Sequence, residues 1–235
     1  MNNIQPLSWD STFFNRNIGQ AHVTNAEEAD ALKIAFDTGS FDLMYVTAAS
    51  EAIQNKLYDV FNQPPVEHKR TYELAAWSNP EKKPIHNIVE IDQVTQALIQ
   101  LTFESGIESR FYKDTNFDKS DFEKLYIAWI EKSVKHELAD HVFGVFLSNQ
   151  LAGFVTLAFK QDAAQIGLIA VEKAFRGKGI AKALIEHCVV NAFESGNMPV
   201  KIVTQAHNIA ACSLYESMGF TETSSVPLFH IWKNR

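Results

Sequence analysis

Apolar positions change their period several times along the chain, and those changes mark out its elements. From Asn25 to Gly39, Ala29, Leu32 and Phe36 recur at helical spacing behind an Asn25-x-x-Glu28 capping box, which predicts a helix of about a dozen residues. Phe41 to Thr47 then reads as a strand, followed by a helix carrying Ile53, Leu57 and Phe61 and stopped by Pro64-Pro65. Glu67 to Leu74 is a further strand, so the first third is a small βαβ-type unit. Its aromatic opening, Leu7 to Phe14, supplies Trp9, Phe13 and Phe14 as core plugs.

Between Ala75 and Pro84 the pattern breaks into two prolines among polar and charged residues. This divides the chain into an N-terminal α/β domain at 1–78, a linker at 79–84 and a second domain at 85–235. The second domain opens with a strand at Ile85–Ile91. Asp92 is placed to cap a helix bearing Val94, Leu98 and Leu101, with Gly106 as its stop. A polar and aromatic loop, Glu108 to Asp114, leads to a second capping box, Ser120-x-x-Glu123, and a helix with Phe122, Tyr126, Trp129, Ile130 and Val134 on one face. Strands follow at Val142–Leu147, Leu151–Phe159 and Gln165–Val171, then a helix at Ile180–Phe193, a strand at Val200–Thr204 and a helix after Asn208. Two short terminal strands, Phe220–Thr223 and Leu228–Trp232, complete an α/β class fold with a mixed sheet.

At 235 residues the chain can bury a sizeable core, and 46% hydrophobic with 21% charged residues is ordinary for a water-soluble globular protein. A net charge of −7 argues against broad nucleic-acid binding, yet leaves room for a nucleotide substrate, which needs only a local basic patch. The N-terminus lacks a basic region followed by an apolar run, and no stretch approaches the roughly 20 apolar residues of a membrane span, so a cytoplasmic protein is expected. Cys188 and Cys212 have no metal-ligand spacing and read as small buried residues. The histidines other than His207 are scattered in the same way, and no metal is expected.

One stretch carries chemistry. The strand Ile166–Val171 runs into Arg176-Gly-Lys-Gly179, and that turn opens the helix from Ile180. Glycines at 177 and 179 permit positive φ and close approach, and the first helical turn leaves N–H groups unpaired at the positive end of the macrodipole. With Arg176 and Lys178 beside them, these groups form a site for phosphate oxygens. It is not a Walker loop, since Gly179 is followed by Ile rather than by Lys, nor the G-x-G-x-x-G dinucleotide fingerprint, since position 182 is Lys. R-x-x-G-x-A, from Arg176 through Gly179 to Ala181, does fit, and it resembles the pyrophosphate loop of the GNAT family of acetyl-CoA-dependent N-acetyltransferases. Asn208-x-x-Ala211-x-x-x-Tyr215-x-x-x-Gly219-Phe220 is similar to that family's second signature, and the element order over about 85–235 is similar to its fold. The Pro-Leu-x-Trp-x-x-x-Phe-Phe opening, Ser109-Arg-Phe111 and the Tyr126–Glu131 stretch resemble the dTDP-fucosamine acetyltransferases, which carry a smaller N-terminal domain.

The resemblance implies roles. Backbone groups of Leu168, Ile169, Ala170 and Val171 would meet the pantetheine arm, and Arg176, Gly177, Lys178, Gly179, Ile180 and Ala181 would cradle the pyrophosphate of acetyl-CoA. Asn208 is a helix N-cap by residue type and, in the family, also a holder of pantetheine or of a relay water. Tyr215, two helical turns on, would hand a proton to the leaving thiolate. His207 is a candidate base and substrate contact. Arg110 and the rings of Phe111 or Tyr112 are candidates to grip a diphosphate and stack on thymine. The implied acceptor is the amine of dTDP-4-amino-4,6-dideoxy-D-galactose or a similar nucleotide-linked sugar, for surface polysaccharide. A protein or other small-molecule amine, and a non-catalytic acetyl-CoA sensor, stay open as alternatives, and a homodimer is possible.

Overall fold

The computed structural model describes residues 4–76 and 86–233, so the expected linker at 79–84 lies outside the described residues. In chain order the elements are β1 (Gln5–Pro6), α1 (Ser8–Phe14), β2 (Ile18–Val23), α2 (Ala26–Thr38), β3 (Leu43–Ala48), α3 (Glu51–Phe61) and β4 (Glu67–Leu74). There follow β5 (Ile88–Glu90), α4 (Gln96–Gly106), α5 (Arg110–Lys113), α6 (Lys119–Val134), β6 (His141–Leu147), β7 (Gln150–Phe159) and β8 (Ala164–Val171). A short 3₁₀ turn at Lys173–Phe175 precedes α7 (Ile180–Glu194), β9 (Val200–Gln205), α8 (Ile209–Ser217) and β10 (Thr221–Trp232).

Two compact units result. One comprises residues 4–69, 205–207 and 225–233, the other 70–76, 86–204 and 208–224. They cut across the sequence blocks, because Arg70–Leu74 of β4 group with the second unit and the chain's last strand residues with the first.

In the first unit β2 and β3 pair in parallel, β1 lies antiparallel to β2, and Leu228–Trp232 of β10 lie antiparallel to β3. One face of that sheet buries Met44, Val46, Phe229 and Ile231 against Leu32, Phe36, Ile53, Leu57 and Phe61 of α2 and α3. Each such fully buried side chain contributes roughly 1.5–3 kcal/mol. Asn25 caps α2 by accepting from the Glu28 N–H at 2.9 Å, while the Glu28 carboxylate reaches back to the N–H and hydroxyl of Thr24 and to Asn25.

The second unit orders its strands β4-β9-β8-β7-β6-β5 from residues 70–74 outward. Val155, Leu157 and Ile166 face Ile180, Leu184, Cys188, Tyr215 and Phe220 of the α7–α8 layer, together with Tyr72 of β4. The alternate residues Phe154 and Ala170 face Leu98, Leu101 and Ile130 of α4 and α6. Ser148 and Asn149, with φ 49° and 60°, form the tight turn between β6 and β7.

Three local expectations are corrected. Thr95, not Asp92, caps α4, its hydroxyl accepting from the Leu98 N–H at 3.2 Å. Ser120 lies inside α6, which starts after Asp118, because buried Phe117 packs on Phe111 and brings the chain into the helix earlier. The terminal segment is one twelve-residue strand rather than two short ones.

Candidate active site

The site is built on a defect in the sheet. The β8–β9 ladder runs Ala164↔Val200, Gln165↔Lys201, Ile166↔Ile202, and no rung beyond Ile166 joins the two strands among the described residues. At that point Gly167 and Leu168 together oppose the single residue Thr156 of β7, a β-bulge that bends β8. The Thr156 hydroxyl, almost fully buried, accepts from the Leu168 N–H at 2.8 Å and holds the bulge closed. A Cβ on Gly167 would stand 2.8 Å from that hydroxyl, which is why glycine occupies the position. The consequence is a stretch, Leu168 to Val171, whose main chain has left one neighbour. A ligand arm can pair there as a third strand would.

The bulged strand delivers the chain to the basic turn. Gly177 and Gly179 have φ of 76° and 75°, the left-handed region that an L side chain enters at a cost of about 1–2 kcal/mol. Among the described residues, no atom lies within 4 Å of where a Cβ would stand on either, so the space above both is open. Gly179 is also the N-cap of α7 and offers no capping side chain. The first-turn N–H groups of this fifteen-residue helix therefore have no side-chain cap among the described residues and suit a ligand or water. Position, polarity and room all suit a pyrophosphate.

Arg176 does not point into this cradle. Its Nε donates to the Val171 carbonyl at 3.1 Å and its Nη2 to Glu104 Oε2 of α4 at 3.2 Å. Lys173 joins the same carboxylate at 3.1 Å. The arginine thus ties the end of β8 to α4 and shapes the loop, with the Glu104 carboxylate shared between it and Lys173. Lys178 lies 5.0 Å from the Phe175 ring centroid. His86 donates from Nε2 to the Lys178 carbonyl at 3.0 Å, a contact that no sequence motif announced.

Asn208 caps α8, its side chain accepting from the Ala211 N–H at 3.3 Å. Tyr215 is 3% exposed on the same helix, edge-on to Tyr72 with ring centroids 5.7 Å apart and tilted against Phe220. Burial pushes its phenol well above the ordinary tyrosine range, with Cys212 and Tyr72 adding to the shift. It is a neutral donor at any working pH.

The acceptor candidates divide. Phe111 is 6% exposed and locked edge-on against Phe117 and Trp129, so its ring is core and not a stacking platform. Tyr112 is 49% exposed, with its ring edge-on to Phe122 at 5.1 Å between centroids. Arg110 is half-buried with its guanidinium 4.5 Å from the Phe111 centroid. His207 is exposed in the turn after β9. Among the described residues no helix is long and apolar enough to cross a membrane.

Residues 96–220 match the model of the acetyltransferase (GNAT) family. The chain is 26% identical over 141 residues to the spore coat polysaccharide biosynthesis protein SpsD of Bacillus subtilis, covering 60% of this chain and 48% of SpsD, about half that relative's length. It is 36% identical over 132 residues to the streptothricin acetyltransferase of Escherichia coli, covering 56% of this chain and 74% of that enzyme. An acetyltransferase of the GNAT family from Colwellia psychrerythraea shares the fold with a TM-score of 0.54 at 15% identity, over 88% of this chain and 72% of that one.

Proposed function

Because the chain belongs to the GNAT family of acetyl-CoA-dependent N-acetyltransferases, we propose that its acceptor is the amine of a nucleotide-linked amino-dideoxy sugar, dTDP-4-amino-4,6-dideoxy-D-galactose or similar, acetylated in the cytoplasm for surface polysaccharide. The observation that carries the sugar is the similarity to SpsD, a protein named for polysaccharide biosynthesis. An exposed Tyr112 beside Arg110 suits a thymine ring and a diphosphate.

The mechanism is direct transfer. The acetyl-CoA pyrophosphate rests on the N–H groups of Gly177 to Ala181, and the pantetheine arm pairs with the main chain of Leu168 to Val171. This places the thioester at the gap between β8 and β9. A main-chain N–H of the bulged strand polarises the acetyl carbonyl. The neutral amine attacks that carbonyl carbon, the C–N bond forms, the C–S bond breaks, and the thiolate takes the proton of Tyr215. Asn208 caps α8, and a water chain receives the proton lost by the amine.

A second reading, acetylation of another small-molecule amine, is favoured by the 36% identity to streptothricin acetyltransferase. Arg110→Ala separates the two. The sugar reading predicts a rise of about tenfold or more in KM for the dTDP-linked amine, and none for an amino sugar lacking the diphosphate. An Arg110→Ala enzyme that treats both acceptors as wild type does would remove the diphosphate contact.

A further inference from the structure

Tyr72 lies on β4, outside the residues that match the family model, and is fully buried. Its ring meets Tyr215 edge-on at 5.7 Å and 69°, within the range of favourable aromatic pairs. Its hydroxyl donates to Glu216 Oε1 at 2.9 Å, on the residue next to Tyr215. We propose that Tyr72 is a positioning residue for the Tyr215 phenol, holding the last turn of α8 through Glu216 and the Tyr215 ring through its own. This rests on Tyr215 as the proton donor.

Two physical facts motivate it. α8 has nine residues, too few to persist without tertiary anchors, and its C-terminal end carries the working side chain. An acidic residue in the last turn is opposed by the helix dipole, so Glu216 is a poor choice there unless a donor meets it. Tyr72 is that donor. Burial, with Cys212 and Glu216 beside it, pushes its phenol up to about 12, so the proton stays in place across any working pH. The charged neighbours of the pair are Arg70, which also bonds to Tyr72, and Glu222, 3.5 Å from the Arg70 side chain. On its other side the Tyr215 ring meets Phe220, whose N–H donates to the Tyr215 carbonyl at 3.1 Å. The ring is held from two sides, and Tyr72 supplies the side that the family signature does not contain.

The test compares Tyr72→Phe, Glu216→Ala, Glu216→Gln and Tyr215→Phe in steady-state turnover with acetyl-CoA and the dTDP-linked amine. Independent of any acceptor, the Tyr215 resonance is followed in protein with isotopically labelled tyrosine ring carbons. Tyr72→Phe keeps the packing and removes only the hydroxyl. The inference predicts that Tyr72→Phe and Glu216→Ala each lower kcat about fivefold or more with KM for acetyl-CoA within about twofold, and shift or broaden the Tyr215 line. Glu216→Gln, which keeps an acceptor oxygen, stays within about twofold of wild type. Combining Tyr72→Phe with Tyr215→Phe adds little to Tyr215→Phe alone. Wild-type kcat and an unmoved Tyr215 line in Tyr72→Phe would overturn the inference while a slowed Tyr215→Phe keeps the acid. A Tyr215→Phe enzyme with wild-type kcat would remove the acid itself, and the inference with it.

Discussion

Replacing Gly179 by alanine probes the phosphate cradle with one methyl group. At φ 75° the alanine must occupy the left-handed region, which costs about 1–2 kcal/mol. The stiffer unfolded chain returns about 0.4–1 kcal/mol of this, leaving a net loss near 1 kcal/mol. No described atom stands within 4 Å of the new Cβ, so no clash adds to that loss. For a chain of this length the melting temperature should fall by about 2–4 °C. Gly196, in the turn between α7 and β9, is the control, because it too has positive φ (135°) and open space around a Cβ. Gly196→Ala therefore also carries backbone strain, away from the cradle. If the open space above Gly179 receives a phosphate, only Gly179→Ala also obstructs the ligand. Loss of one close approach worth about 1.4 kcal/mol raises KM or Kd for acetyl-CoA about tenfold. The assay is calorimetric titration of acetyl-CoA into wild type and both variants, beside thermal melts. Equal affinities in all three proteins, with the melts lowered as expected, would refute the placement of the pyrophosphate.

Glu104→Ala should raise KM for acetyl-CoA a few-fold by releasing Arg176 and Lys173, while changing stability by less than about 1 kcal/mol, as befits a partly exposed pair. Steady-state kinetics and melts check both halves, and Arg176→Lys should not substitute for the two-armed contact with Val171 and Glu104. Burial pushes the pKa of Cys188, Tyr72 and Tyr215 up alike, so each is neutral in folded and unfolded chains below its ordinary value. Above about pH 8.5 for the thiol and about pH 10 for the phenols the unfolded chain ionises first, so the contribution of these three groups should be level below pH 8 and stability should fall with rising pH beyond. Denaturation midpoints that rise between pH 9 and 11 would contradict this. Gly106→Ala places a Cβ 2.3 Å from the buried Tyr126 ring at the α4–α6 contact, and urea unfolding should show a loss of about 1–3 kcal/mol.

What the sequence made legible was whatever is encoded in backbone constraint. Gly177 and Gly179 have positive φ, and Asn208 caps because of its residue type, so the left-handed turn before α7 and the start of α8 are readable from spacing. Strand and helix periods gave β3, β4, α7 and β9 to within a residue or two, since each alternates or repeats against one core face. The bulge at Gly167 and Leu168 was not readable, because it depends on a hydroxyl eleven residues or more upstream in a neighbouring strand. Phe111 looked like a loop aromatic, yet a four-residue helix turns it against Phe117 and Trp129. Arg176 looked like a phosphate ligand, and its partner Glu104 lies 72 residues away. Local propensity carries no information about such pairings. The same holds for Leu228–Trp232, which pair with β3 across almost the whole chain.

The central claim is tested most directly by competition. The enzyme is given acetyl-CoA and an equimolar mixture of dTDP-4-amino-4,6-dideoxy-D-galactose, streptothricin and a peptide with a free N-terminal amine, and the products are read by mass spectrometry. The account predicts that the nucleotide sugar gains the acetyl group first and that Tyr215→Phe slows it. Acetyl found on streptothricin or the peptide while the sugar stays unmodified would contradict it.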